Sequence, residues 1–263
     1  MERIASRHNP IVKRFRELAR AASADAMILD GEHLIEDALG AAVAIEVAAF
    51  AEAHASDRLA SLVARTAASG ARTITVPDEI LAAMSPVKNP SGAVAIARCR
   101  TAPVAAILAA ESPLILLLHG VQDPGNVGAV IRAAEACGAT GVITGDGSAD
   151  PFGWKALRGA MGSSFRMPIA VHQDLARVVT EARAAGIRIY AAAPRGGTPL
   201  ASADLRRPSA VLLGGEGPGL PEALSNAADE RLTIPMRPPV ESLNVATAAA
   251  VVVYEAARQR SAR

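Results

Sequence analysis

DPGNVGAVIRAAEACG, residues 123–138, follows the apolar run LILLLHG at 114–120, and the pair decides the fold class. An unbroken apolar run between Pro113 and Gly120 predicts a strand buried on both faces, the kind found in parallel sheets. The residues after it predict a helix over 126–137. Asp123 is a good N-cap, Pro124 a good first helical residue and Gly138 a natural stop. Val127, Val130, Ile131 and Ala134 share one face. Arg132 points well away from the centre of that stripe, and Asn126 sits at its edge near the helix start. Both are free to face a ligand, although a helix-start asparagine and an exposed arginine are also ordinary surface residues.

Two further stretches have the same character. In VLLGGEGPGL (211–220), a short strand at Val211–Leu213 runs into a loop containing Gly214, Gly215, Gly217 and Gly219. Glycines there permit close approach of backbone to a ligand. A phosphate-binding loop is the obvious competitor, but the glycine register is poor and no Lys-Ser/Thr follows. Glu216, in mid-loop, would repel a pyrophosphate and tolerate a cation. In IPMRPPVESLNVATAA (234–249), Pro235, Pro238 and Pro239 impose a loop over 235–240. Ser242 is the expected N-cap of a final helix running from about 242 to 259. From Val245 to Ala256 that helix is apolar nearly all round, so it is buried or lies in a subunit interface.

In this order and spacing the three stretches resemble the motifs of the SpoU/TrmH family of RNA ribose 2′-O-methyltransferases, over roughly residues 112–260. The resemblance implies a C-terminal α/β-knot, a trefoil-knotted SPOUT-type domain on a parallel sheet, which is one of the few exceptions to the no-knot rule. It implies S-adenosylmethionine as cofactor, with no metal. It puts Asn126, Arg132, Glu216, Ser242 and Asn244 in the active site, Arg132 contacting the RNA phosphate and assisting loss of the 2′-hydroxyl proton. Gly214, Gly215, Gly219 and Leu220 would line the cofactor pocket, and Ile234, Met236 and Leu243 would hold the adenine. One departure is Ala246, where the family commonly has serine after Asn-Val. A homodimer through the final helix is also implied. The need for a 2′-hydroxyl makes the substrate RNA, with rRNA favoured over tRNA. A tRNA enzyme, a non-catalytic RNA binder of the same fold and a nucleotide-dependent enzyme are the competing readings.

The first hundred residues read as alternating strands and helices, with helices expected at 9–20, 32–39, 57–68 and 78–84. Ser6–Lys13 (SRHNPIVK) and Asp30–Ile35 (DGEHLI) resemble the RNA substrate-binding domain that often precedes this catalytic domain, a smaller α/β unit of ribosomal-protein-like fold. The expected organisation is a substrate-binding domain at 1–100, a linker or linking helix at 101–112 and the methyltransferase domain at 113–263. Arg3, Arg7, Lys13, Arg14, Arg16 and Arg20 face only Glu2 and Glu17 within residues 1–20. Arg7, Lys13 and Arg14 are the candidate phosphate contacts, against the alternative of a solvated helix face.

Composition narrows the remaining classes. Apolar residues make up 51% of the 263 but aromatics only 3%, too few for an RNA surface built on stacking platforms. Net charge is +1, so a basic footprint, if present, is local. Cys99 and Cys137 have no disulfide framework or metal-ligand spacing. His8, His33, His54, His119 and His172 form no metal-binding motif. Trp154 and Phe165 flank LRGAMGSS, a stretch resembling family segments near the catalytic pocket, and both are expected to pack in the core. No apolar run approaches the roughly 18 residues of a membrane span, and the charged N-terminus is not a signal peptide. The expectation is a soluble cytoplasmic protein.

Overall fold

The computed structural model describes residues 1–21, 23–53, 56–217 and 219–261, so His54 and Pro218 lie outside the described residues. The chain divides into two units, residues 1–100 with 152–158 and residues 101–151 with 159–263.

The first unit contains β1 (Glu2–Arg3), α1 (Pro10–Arg20), β2 (Ala26–Asp30), α2 (Glu32–Gly40), β3 (Ile45–Ala51), α3 (Asp57–Ala68), β4 (Arg72–Val76), α4 (Asp78–Met84) and β5 (Ala93–Arg98). Among the described residues its sheet has the order β1-β4-β3-β5-β2. Strands β1, β4 and β3 are parallel, whereas β5 runs antiparallel to both β3 and β2. The helix expected at 9–20 is α1, and its start follows from Asn9, whose Oδ1 accepts from the Ile11 amide at 2.9 Å. Val12 and Phe15 of α1 are fully buried in one core with Ile28, Val47, Ile74 and Ile96. Burying such side chains stabilises the unit by about 1.5–3 kcal/mol each. Trp154 packs half-buried against this same core.

The second unit begins with α5 (Val104–Leu108), then β6 (Leu114–His119), α6 (Pro124–Ala136) and β7 (Gly141–Gly145). After α7 (Trp154–Ala160), which the boundary at Arg158 divides, come β8 (Ile169–Gln173), α8 (Leu175–Ala184), β9 (Arg188–Ala192), β10 (Thr198–Pro199), β11 (Ser209–Gly214), α9 (Glu222–Ala227), β12 (Glu230–Thr233) and α10 (Val245–Ser261). The sheet order is β10-β12-β9-β11-β6-β7-β8 and every pairing is parallel. Strand β6 is the run Leu114–His119, and its alternation divides two cores. Ile115 and Leu117 pack with α5 and α8 through Ile107, Val178 and Val179. Leu116 and Leu118 are equally buried, on the opposite face of the strand.

Residues 101–112, read as a linker or linking helix, carry the short helix α5, whose Ile107 is buried with Ile115 and Leu117. Two features depart from the sequence expectation. The final helix begins at Val245, later than 242. Its cap is Asn244 instead of Ser242: the Asn244 Oδ1 accepts from the amides of Ala246 (2.9 Å) and Thr247 (3.3 Å). The far end of α10 is tied down by side chains. Arg260 donates to the carbonyls of Leu205 (2.9 Å), Ser112 (2.7 Å), Pro113 (3.1 Å) and Arg207 (2.8 Å). Gln259 donates to the Ala203 carbonyl at 2.9 Å and accepts from the Leu205 amide at 2.8 Å. Among the described residues no helix is long and apolar enough to cross a membrane.

Candidate active site

Three loops leave the C-terminal ends of parallel strands, where open α/β sheets place their ligands. They follow β6 (from Gly120), β11 (from Gly215) and β12 (from Ile234). Strands β6 and β11 are neighbours in register, with Gly214 beside His119. The first two loops therefore meet, and the Gly215 amide donates to the His119 carbonyl at 2.8 Å. The crossing is so close that a Cβ on Gly215 would sit 1.7 Å from the Gly120 carbonyl oxygen. A Cβ on Gly214 would lie 2.4 Å from the Gly219 carbonyl carbon, because the loop folds back on itself there. Only glycine fits either place, which is the physical reason for the glycine-rich stretch.

Loop closure brings three motif side chains together. The Asn126 amide donates to Glu216 Oε1 at 2.8 Å. The Asn244 amide donates to the same oxygen at 3.0 Å and to Asn126 Oδ1 at 3.1 Å. Asn126 is positioned by the start of α6, where Asp123 Oδ1 accepts from its backbone amide at 2.9 Å. Asn244 is positioned by capping α10, so one side chain joins helix start, carboxylate and first loop. Charge-assisted bonds of this kind are stronger than neutral ones, and they aim the remaining Glu216 oxygen. Ser242 is not drawn in: it is exposed, and among the described residues its side chain makes no hydrogen bond. Arg132, on the α6 face opposite the buried Val127, Val130, Ile131 and Ala134, is exposed and forms no ion pair among the described residues.

Ile234, Met236 and Leu243 are half-buried along the third loop, and Leu220 packs at the edge of the core containing Leu212 and Leu224. Prolines keep this loop irregular, with Pro238–Pro239 in the cis form. Arg195 and Glu241 approach to 3.7 Å across its solvent side.

Residues 159–166 run alongside α6, the helix that carries Asn126 and Arg132. A Cβ on Gly159 would come within 3.1 Å of the Gly125 carbonyl oxygen and 3.4 Å of Gly128 Cα. Further along, Arg166 binds Glu135 through two hydrogen bonds of 2.6 and 2.9 Å. The Arg166 bonds hold the Glu135 carboxyl below its ordinary range, helped by a bond from Ser163. Phe165 is buried, as expected. Among the described residues, no three His, Cys, Asp or Glu side chains converge as metal ligands.

Of the basic residues on the first unit, Arg7 and Lys13 are exposed. Arg14 is bound to Glu46, which Arg98 also approaches at 3.3 Å.

Comparison with known proteins agrees along the whole chain. Residues 113–254 match the SpoU rRNA Methylase family, and residues 9–95 match the MRM3-like substrate binding domain. The 23S rRNA (guanosine(2553)-2′-O)-methyltransferase RlmP of Bacillus subtilis is 32% identical over 258 residues, covering 97% of this chain and 98% of that one. The crystal structure of an AdoMet-bound rRNA methyltransferase from Sinorhizobium meliloti superposes with a TM-score of 0.86 at 30% identity, over 98% of this chain and 97% of that one. The SpoU methyltransferase AviRb of Streptomyces viridochromogenes, in complex with AdoMet, gives a TM-score of 0.85 at 27% identity over 97% and 100% of the two chains. With the family model matched over 113–254 and a relative of 32% identity spanning 97% of it, the chain belongs to the SpoU rRNA methylase family.

Proposed function

We propose that this methyltransferase acts on a ribose 2′-hydroxyl of large-subunit ribosomal RNA, with S-adenosylmethionine as methyl donor. The observation that carries the reading is the junction of Asn126, Glu216 and Asn244 at the mouth of the glycine crossing. The cofactor suits these residues. Bare backbone at Gly214 and Gly215 shapes a cradle that any side chain would fill, and a single fixed carboxylate suits a cationic ligand. When bound, S-adenosylmethionine supplies an activated methyl group on a sulfonium. Gly214, Gly215, Gly219 and Leu220 would hold it on one side, and Ile234, Met236 and Leu243 would hold its adenine on the other.

The protein's own task is then alignment and charge. Asn126, Asn244 and Glu216 fix the acceptor ribose, which converts a bimolecular encounter into an oriented one. Arg132 grips the neighbouring phosphate and stabilises the 2′-oxygen as its proton leaves. Ser242 bonds the ribose once RNA is in place. The first unit, with Arg7 and Lys13, binds the RNA by its backbone, and Arg14 joins them by leaving Glu46. The reaction takes place in the cytoplasm. The active form is a homodimer through α10, supported by the stripe Thr247, Val251 and Tyr254, in which Tyr254 is 64% exposed.

Calorimetric titration with S-adenosylmethionine, with ATP and NAD as controls, should show selective binding by the wild-type protein. Arg132→Ala should retain that affinity within about twofold while methyl transfer to a 23S rRNA transcript falls at least about a hundredfold. Methylation of tRNA alone would redirect the substrate assignment, and full activity of the variant would remove Arg132 from the mechanism.

A further inference from the structure

Met161 is the exposed large apolar side chain of the segment that lies along α6. It is 58% exposed, yet its backbone sits in the left-handed region at φ +49°. Gly162 follows at φ +81°, so two successive left-handed residues turn the chain sharply. A long unbranched side chain in that conformation is strained, and such strain concentrates at functional sites.

The position is defined by its neighbours. At 100° per residue, Gly125, Gly128, Ala129 and Arg132 fall on one face of α6. Gly159 is pressed against Gly125 and Gly128 on that face, and Arg166 is bonded to Glu135 one turn beyond Arg132. The chain between Gly159 and Arg166 must therefore pass the turn that carries Arg132, and Met161 is the residue it pushes into solvent there. The aromatic of the same segment, Phe165, is buried and offers no stacking surface. An exposed thioether on the segment that passes the turn of α6 carrying the exposed Arg132 offers the two chemistries that a nucleotide asks for, one for its aromatic base and one for its phosphate.

We propose that Met161 is a substrate-contacting residue whose side chain packs against a nucleobase of the RNA while Arg132 holds the adjoining phosphate. The inference rests on the function proposed above. The test compares Met161→Gly and Met161→Asn, both tolerant of a left-handed backbone, with Met161→Leu. The readouts are steady-state methylation of an unmodified 23S rRNA transcript, cofactor affinity by calorimetry and sedimentation. Glycine and asparagine should raise the KM for RNA about tenfold, leave kcat and cofactor affinity within about twofold and leave sedimentation unchanged. Leucine should restore most of the RNA affinity. Unchanged KM in both variants overturns the proposal, and so does a KM effect that appears only together with altered sedimentation, which would make Met161 an interface residue. Failure of the wild-type protein to bind cofactor and methylate RNA would instead remove the function on which the proposal stands.

Discussion

At the scale of single residues, Asn244 is the most heavily used side chain of the site. Its oxygen caps α10 and its nitrogen holds Glu216 and Asn126. The two duties can be separated. Asn244→Ala removes both, and loss of the cap alone should cost about 1 kcal/mol of stability. Asn244→Ser keeps an oxygen for the cap but lacks the amide nitrogen that reaches Glu216 and Asn126. Urea unfolding should show serine close to wild type and alanine less stable, while methylation assays should find both impaired. Serine retaining full activity would mean that the bond to Glu216 is dispensable. Gly215 makes a sterically sharper case. Adding one methyl group at 1.7 Å from the Gly120 carbonyl oxygen forces the two loops apart, since the obstacle is backbone and cannot rotate away. Gly215→Ala should weaken S-adenosylmethionine binding at least about tenfold by calorimetry; undiminished affinity would show that the crossing is not part of the pocket.

At the scale of elements, α10 is held at both ends, by Asn244 at its start and by Gln259 and Arg260 at its finish. Its last turns also carry a charge-assisted cluster. Arg258 donates two hydrogen bonds of 2.8 Å to Glu255, and Gln259 adds another at 2.8 Å. The Arg258 bonds, then the Gln259 bond, lower the Glu255 carboxyl from its ordinary 4.5 to about 2. A folded-state value below the unfolded one contributes stability that is fully present above pH 4.5 and lost as pH falls from 4.5 towards 2. Stability curves of wild type and Glu255→Gln, followed by the circular dichroism of the helices, should converge over that window. A gap that stays constant as the pH is lowered would mean that Glu255 titrates normally. The helix positions along the chain were legible because caps and periodicity act locally: Asp123 marks the start of α6, and apolar spacing marks α1, in the sequence itself. The start of α10 was misread because Ser242 and Asn244 are both good caps, and the choice between them is made by Glu216, far away in the chain.

At the scale of the whole molecule, the seven parallel strands of the second unit leave α10 with one face on the core and one in solvent. Val251 and Tyr254 on that outer face are 38% and 64% exposed. They are the side chains through which the proposed homodimer would associate. On that proposal wild type should sediment as a dimer and the double variant Val251→Glu, Tyr254→Glu as a monomer; a monomeric wild type would remove the dimer, and a dimeric variant would move the interface elsewhere. The sequence by itself determined the strands except the two-residue β1 and β10, most helix boundaries, the three motif loops and the family, because burial pattern, capping and glycine or proline chemistry are written in neighbouring residues. Only the tertiary structure decided that Asn126, Glu216 and Asn244 share hydrogen bonds while Ser242 stands apart, that Arg14 is engaged by Glu46, and that Met161 is exposed in a left-handed turn of the segment along α6. The first of those relations joins residues distant in the chain, and what sets it is the parallel strand order of the second unit and the backbone crossing at Gly120 and Gly215, which no local pattern encodes.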